Sequence, residues 1–563
     1  MELRERILRL ALENAVEHGG KALLDPVLRR VAGEFPDLRQ RLRELVPLVE
    51  EILSEINLLS PEEQRKRLEE LGGRAVREKR ERRKGLPDLP NVEKYERVVT
   101  RFAPNPNGPL HLGHVRAALL SYEYARMYGG KFILRFEDTN PANAKEEMYG
   151  MIKEDLEWLG IRWDEEFYQS DRLELYYRMA ERLLEEGKAY VCSCKAEEFR
   201  EKRDRGLPCP CRELPPQEQL ERWRGMKEGG YGEEEAVLRL KTDLKHPNPA
   251  VRDWPAFRVV EAPHPRVGRK YRVWPLYNFS VSIDDHEMGI THVIRGKEHE
   301  VNEERQRFLF RLLGWEYPTV VQYGRLTLAG SKLSKTEIVR AVERGELKGY
   351  DDVRLGTLSA LRRRGFLPES VRRVILEVGL TPVDSSLSWE SLEAQNRKLV
   401  DDLALRYFFV PSGVWVRVRN APELREVELP LHPSHPERGK RRLPLLYREG
   451  CLLVLLSPED LRNLKEGEVF RLKDLMNVSL LSLSPPEAEF RGLELLPGIP
   501  KVQWVSGDPV KVKVLKPDGT VEEGWGEPAL RGVKVGEILQ FERYGFVRVE
   551  ETGKEISVVF GHR

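Results

Sequence analysis

His111 and His114 stand three positions apart in the string HLGH, and Lys332 and Lys335 stand three apart in KLSKT. Imidazole and ammonium groups both donate hydrogen bonds to phosphate oxygens, and lysine adds a full charge. Each string is short, and alone each has a plainer reading: a surface helix cap and a solvated lysine loop. Together, and in this order, they suit a protein that grips the phosphates of ATP from two sides. Gly113 lacks the Cβ that would block a nucleotide. Lys332 and Lys335 can close over a triphosphate and stabilise charge that grows in a transition state.

Four of the five cysteines form a second constellation. Cys192 and Cys194, then Cys209 and Cys211, make two C-x-C pairs joined by a loop, and Pro208 and Pro210 stiffen the second pair. Four thiolates so grouped fit a closed, tetrahedral, structural zinc site. Four reduced thiols are the alternative. Cys451, in CLLVLL, reads as a buried apolar residue. Trp254, Trp274 and Trp504 read as core packing before base stacking.

These groups need elements to hold them. HLGH follows the strand-like RVVTRFA (97–103) and the turn-rich PNPNGP, and opens a helix-like run in which Leu112, Val115, Leu119 and Tyr122 share a face. The first turn of such a helix offers unpaired N–H groups and partial positive charge. Strand KFILRFE follows, then helices around 145–160 and 171–187. That alternation predicts a doubly wound parallel sheet with ligands at the C-terminal strand edges. A different insertion spans about 188–270. The loop LAGSKLSKT follows the strand-like TVVQYG, and 337–405 returns to helical pattern. From Tyr407 short β runs take over: VWVRVR, CLLVLL, KVQWVS, PVKVKVL and GFVRVEE, with turns such as PDG at Pro517 to Gly519. They predict one or two barrels. At the other end, residues 1 to about 74 read as amphipathic helices, with Ile7, Leu10, Ala11 and Ala15 on one face and Leu42, Leu45, Leu48 and Leu53 following. The basic run Arg77 to Lys84 reads as a linker.

Composition permits several domains in 563 residues. Lys plus Arg (94) nearly equals Asp plus Glu (93), so any RNA-binding surface must be a local basic patch. No apolar run reaches about 18 residues, and the first residues are charged throughout, so neither a membrane span nor a secretory signal is expected. The cysteine usage fits a reducing cytosol.

Thr100 to Pro141, Tyr277 to His299 and Gly324 to Thr336 closely resemble the catalytic core of the class I glutamyl- and glutaminyl-tRNA synthetases. A looser resemblance runs from about Leu86 to the C-terminus and is nearest to the archaeal glutamyl subgroup. The resemblance implies a two-step ligase. Glutamate attacks the α-phosphate of ATP, which comes with Mg2+, and gives glutamyl-adenylate. The 2′-hydroxyl of the tRNA's terminal adenosine then takes the glutamyl group. Activation in this subgroup usually needs tRNA already bound. The implied partners are L-glutamate and tRNA(Glu), with tRNA(Gln) left open as a second acceptor, for a cytoplasmic monomer with no membrane contact.

The same resemblance assigns roles. Catalysis falls to His111, His114, Lys332 and Lys335, and the ATP site takes in Pro104, His111, Gly113, His114, Ser334 and Lys335. Arg101, Glu137, Tyr277 and Arg295 match glutamate-binding positions, with Glu137 on the α-ammonium and Arg295 as the charge that selects glutamate over glutamine. A lone ion pair with Glu298 or Glu300 is the alternative for Arg295. Val281 stands where related enzymes carry a polar residue. The string Asp284, Asp285, His286 is expected to line the pocket, with a structural or substrate-orienting role, and not to bind metal. Cys192, Cys194, Cys209 and Cys211 match a zinc knob at the acceptor-binding insertion.

The implied fold is α/β multidomain: a doubly wound Rossmann-type catalytic core with a helical extension, an α+β insertion, a helical connector and antiparallel β-barrels. The expected blocks are 1–90 (N-terminal helical extension and basic linker), 91–190 (first half of the core), 191–270 (acceptor-end insertion), 271–336 (second half, with KLSKT), 337–405 (connector) and 406–563 (anticodon-binding barrels). Glutaminyl-tRNA synthetase is the nearest alternative, which Arg295 disfavours. A tRNA-independent adenylate-forming transferase is another, which the long β tail disfavours. A silent tRNA-binding scaffold conflicts with the intact HLGH and KLSKT strings.

Overall fold

The computed structural model describes residues 3–17, 20–35, 42–71, 86–330 and 335–563. The basic run from Arg77 to Lys84 lies outside them. The chain forms two compact units, Met1–Pro87 and Asp88–Arg563.

The first unit has four described helices, Leu3–Glu17, Leu24–Glu34, Leu42–Asn57 and Pro61–Glu70. Ile7, Leu10, Ala11 and Ala15 are buried against Val27, Val31, Val49, Ile52 and Ile56. This is the apolar stripe that the helical period predicts. Asn57 closes the unit by accepting from the Ala22 N–H at 2.7 Å and donating to the Ala22 carbonyl at 3.0 Å.

In the second unit, strand Val99–Phe102 pairs in parallel with Lys131–Phe136, which pairs in parallel with Glu165–Tyr168. His292–Gly296 pairs in parallel with Thr319–Tyr323. The two ladders meet at Thr291, whose N–H donates to the Val99 carbonyl at 3.0 Å and whose hydroxyl accepts from the Val99 N–H at 2.8 Å. The sheet order therefore reverses between Val99–Phe102 and His292–Gly296. A crevice at the C-terminal ends of such a pair is where doubly wound folds bind ligands. Helices Leu112–Met127 and Glu146–Trp158 bury Val115, Leu119, Ile152 and Leu156 with Phe132, Leu134 and Phe136 of the sheet.

The insertion is a four-stranded antiparallel sheet: Ala189–Cys192, Val237–Leu240, Pro255–Val259 and Val273–Pro275 in that order. Helices Lys335–Glu343, Leu358–Arg363, Pro368–Val378 and Trp389–Leu403 follow strand Leu326–Leu328.

The C-terminal region holds two seven-stranded sheets. In the proximal one, joined to the helices before it by Arg364 donating to the Gly561 carbonyl and by Asn396 bonding to His562, Leu405–Tyr407 forms one edge and Phe409–Pro411 the other, although only Phe408 separates them in the chain. The two edges must lie side by side, so the sheet curls into a barrel. In the distal one, Val505, just past the edge strand Lys501–Val502, bridges back to Leu455 near the opposite edge with bonds of 2.7 and 3.2 Å. Each sheet is mainly antiparallel with two parallel pairings. An odd number of strands cannot alternate direction all the way round a closed ring, so some parallel pairing is required.

Candidate active site and metal centre

His111 is the N-cap of helix Leu112–Met127. Its Nδ1 accepts from the Gly113 N–H at 3.1 Å, and the Nδ1 of His114 accepts from the His111 N–H at 3.3 Å. Each imidazole thus caps the other's segment, and the rings lie 3.8 Å apart. With both Nδ1 atoms accepting, each ring keeps an Nε2–H to donate. Burial, helped by the nearby Lys335 charge, lowers His111 to about 4 and holds His114 well below the ordinary histidine value. Both rings are neutral donors at physiological pH. This differs from the expected open helix start: the Gly113 and His114 N–H groups are already taken within the first turn, the latter by the His111 carbonyl at 2.9 Å. A Cβ on Gly113 would meet the His111 ring at 3.0 Å, so the glycine makes room for the histidine itself.

Lys335, the first residue of helix Lys335–Glu343, donates to the Asn107 side chain at 3.4 Å and packs against Gly108. Burial lowers it to about 8, which leaves it charged near neutrality. Lys332 and Ser334 lie outside the described residues. Pro104 is buried, and its carbonyl accepts from the Glu137 N–H at 3.0 Å. The loop after strand Val99–Phe102 is thereby tied to the loop after strand Lys131–Phe136.

The second half of the crevice is a buried charge network. Arg101 grips Asp285 with two bonds, at 3.1 and 3.3 Å. Arg135 donates to Asp285 at 2.8 Å and to Glu137 at 3.2 Å. Asp284 accepts from Arg172 at 2.8 Å, Tyr176 at 2.7 Å and Gln169 at 2.9 Å. Three arginines thus face three carboxylates, as buried charges require. Burial would raise Asp285, but Arg101 and Arg135 outweigh it and hold its carboxyl below the usual range. Asp284 and Asp285 are anchors of arginines, in keeping with a structural role. His286 instead stacks on Trp315 at 3.7 Å.

Glu137 stays more open. Among the described residues Arg135 is the one hydrogen-bond partner of its carboxylate, and burial, partly opposed by Arg135 and Arg101, raises it to about 7. Tyr277 sits within electrostatic reach of Glu137, Arg101 and Arg295, and burial pushes it up to about 12. Arg295 donates to Gln306 at 2.8 Å, Tyr317 at 3.2 Å and Glu303 at 3.4 Å. Its partner acid is neither Glu298 nor Glu300. Glu303 is itself shared with Arg307 at 2.8 Å, so the Arg295 charge is only partly offset. The pocket therefore pairs an incompletely used carboxylate with an incompletely neutralised arginine, which suits a dipolar ligand carrying both an ammonium and a carboxylate. Val281 is fully buried.

The four cysteines come together. Cys192 and Cys209 sulfurs lie 3.8 Å apart, Cys194 and Cys211 sulfurs 3.7 Å, and all four fall within 4.8 Å of one another. None is in a disulfide. Zn–S bonds of about 2.3 Å at tetrahedral angles place sulfurs roughly 3.8 Å apart, so the spacing fits such an ion. Arg222 lies 3.6 Å from the Cys211 sulfur, and Arg239 is close enough to favour the Cys192 thiolate.

Sequence reasoning missed two groups. Arg116, two positions after His114, is buried and donates to the carbonyls of Gly324 at 2.6 Å and Gly379 at 2.7 Å, joining the HLGH helix to the segments beside strand Leu326–Leu328. A buried cation satisfied by carbonyls leaves no trace in the sequence. Asp138 and His264 form the second group, described below.

A family model described as tRNA synthetases class I (E and Q), catalytic domain, matches residues 97–402. Two models described as the anti-codon binding domain of the same class match 404–490 and 501–550. The chain is 51% identical to a glutamate–tRNA ligase of Pyrococcus abyssi and 44% identical to one of Methanocaldococcus jannaschii, over 100% of both chains in each case. A solved glutamate tRNA ligase from Elizabethkingia meningosepticum is 26% identical over 55% of this chain and 70% of its own, with a TM-score of 0.41. No helix among the described residues is long and apolar enough to cross a membrane.

Proposed function

The chain belongs to the class I (E and Q) tRNA synthetases, and on that premise we propose that it joins L-glutamate to tRNA(Glu) through glutamyl-adenylate. An oxygen of the glutamate α-carboxylate attacks the α-phosphorus of ATP, the bond to the β-phosphate breaks, and pyrophosphate leaves. The 2′-hydroxyl of the terminal adenosine then attacks the carbonyl carbon, loses its proton, and AMP departs. Mg2+ accompanies ATP. His111 and His114 offer two neutral N–H donors to the phosphates, and Lys335 a charge whose burial raises its effect on a developing anion. Lys332 and Ser334 join them from KLSKT, and Pro104 and Gly113 shape the ATP site. Glu137 receives the α-ammonium, Arg101 and Tyr277 line the pocket, and Arg295 receives the side-chain carboxylate.

The observation that carries this reading is Arg295: a buried arginine whose nearest acid, at 3.4 Å, is already committed to another arginine. A glutamate carboxylate completes it; a glutamine amide would leave the charge unpaired in a desolvated site. Cys192, Cys194, Cys209 and Cys211 hold a structural Zn2+ in the insertion that meets the acceptor end, and the barrels take the anticodon. Reduced, unpaired cysteines support a cytoplasmic setting. Purified tRNA(Glu) and tRNA(Gln), each charged with each amino acid, test the function directly. Glutamate on tRNA(Glu) is expected; glutamine in its place overturns the reading, and the tRNA(Gln) arm shows whether one acceptor or two are served. Lys335→Ala tests the mechanism. Glutamate-dependent ATP–pyrophosphate exchange, with tRNA present, should fall by about a hundredfold or more through kcat. Transfer from preformed adenylate should fall much less. Equal loss in both half-reactions would make Lys335 a mere holder of the loop.

A further inference from the structure

His264 belongs to the insertion and to none of the motifs, yet its buried ring reaches into the catalytic core. It closes a tight hairpin: its N–H donates to the Gly268 carbonyl at 2.9 Å, and the Gly268 N–H donates back at 2.8 Å. The ring is held on both edges. Nδ1 accepts from the Arg266 N–H at 3.1 Å, so the proton sits on Nε2, which donates to the Asp138 carbonyl at 2.9 Å. One face stacks on Trp274, with ring centroids 5.1 Å apart at 22°. Burial, against the pull of Asp138, keeps the ring below the ordinary histidine value and so neutral.

Asp138 directly follows Glu137. Its carboxylate is pinned by the Ser170 N–H at 2.8 Å, the Ser170 hydroxyl at 2.7 Å and the Tyr149 hydroxyl at 2.8 Å. The Glu137 N–H is tied to Pro104 at 3.0 Å. Those bonds fix the N–H before Glu137 and the side chain after it. The peptide plane that follows Asp138 is fixed by His264 alone among the bonds named, and from another domain. We propose that His264 is a positioning residue of the amino-acid pocket: by holding the Asp138 carbonyl it sets the direction in which the Glu137 carboxylate meets the α-ammonium of the substrate. The inference rests on the reading of Glu137 given above. Its physical ground is the steepness with which a charge-assisted contact falls off when its acceptor drifts by about an ångström.

Two isosteric halves of the ring separate this role from packing. His264→Asn keeps an acceptor for the Arg266 N–H but is too short to reach Asp138. His264→Gln carries an amide N–H to the place of Nε2. In ATP–pyrophosphate exchange with tRNA present, His264→Asn should raise the glutamate KM about tenfold and leave the ATP KM within about twofold. His264→Gln should stay within about threefold of the unaltered enzyme for both. Thermal midpoints of the two variants report packing and should be similar. Equal glutamate KM in both variants overturns the proposal, because a packing role does not distinguish them. Glu137→Gln is the control on the premise. If it leaves the glutamate KM unchanged, the reading of Glu137 fails and the inference with it. If it raises the KM while His264→Asn does not, only the inference fails.

Discussion

Arg295 has more charge than its surroundings neutralise, and Arg101 has none to spare, because Asp285 takes it with two bonds. Selectivity should therefore rest on the first and pocket architecture on the second. Arg295→Ala is expected to lower glutamate kcat/KM at least about tenfold, the loss of one charge-assisted contact of roughly 1.5–3 kcal/mol, and to shrink the preference over glutamine. Unchanged glutamate activation would return Arg295 to a structural role. Asp155 gives a second test. Both its carboxylate oxygens are buried without a hydrogen-bond partner, and burial raises it to about 7. Because the folded state holds this proton more tightly than the unfolded one (ordinary value about 3.9), stability is lost as pH rises from about 4 to 7, by up to about 4 kcal/mol. Asp155→Asn should remove that loss, so its thermal midpoint should exceed the parent's at pH 8 and converge with it near pH 4. Equal midpoints at both pH values would show the carboxyl to be solvated. At this scale residue types were legible and pairings were not. HLGH and the four cysteines stand out by type and spacing, whereas Glu137 is marked only by the family resemblance. The clamp of Arg101 on Asp285 and the bond from His264 to Asp138 join residues far apart in the chain, where no local pattern can register them.

The cysteine cluster acts at the scale of an element. It joins strand Ala189–Cys192 to the short helical turn Pro210–Glu213 across one face of the insertion. About one zinc per chain is expected from elemental analysis of protein purified without added metal, and a strong chelator should lower the thermal midpoint. Four titratable thiols in native, metal-free protein would exclude it. Helix boundaries were the most readable elements. The period of Leu112, Val115 and Leu119 places a helix at 112–128, and the structure has Leu112–Met127. The insertion was harder. Its sheet includes Ala189–Cys192, which straddles the first edge of the segment 191–270, and Val273–Pro275, which lies beyond the second. Sheet edges depend on pairing partners, and Ala189 finds its own at Leu240.

Across the whole molecule the two barrels are locked by buried charge. Glu527 accepts from the Phe408 N–H at 2.7 Å, Arg441 lies 3.6 Å from Glu527 and donates to Glu542 at 2.7 Å, and Lys473 reaches Glu542 at 2.6 Å. Burial raises Glu527 to about 7, opposed by Arg441. Arg441→Met should cost about 3–5 kcal/mol, read as an earlier unfolding transition, because it leaves buried Glu527 without its cation while Lys473 still holds Glu542; no shift would mean that water already screens Glu527. Alternating β runs announced barrels, but nothing local announced that the proximal one closes around Phe408. Its strands come from 405–411 and 510–562, while the distal barrel occupies the chain between. A ribosome therefore delivers the first two strands of the proximal barrel long before their partners. At about 5–20 residues per second the wait is roughly five to twenty-five seconds. The distal barrel can form during that interval, while Phe409–Pro411 stays unpaired until residues 524–526 emerge and Leu405–Tyr407 until residues 539–541 do.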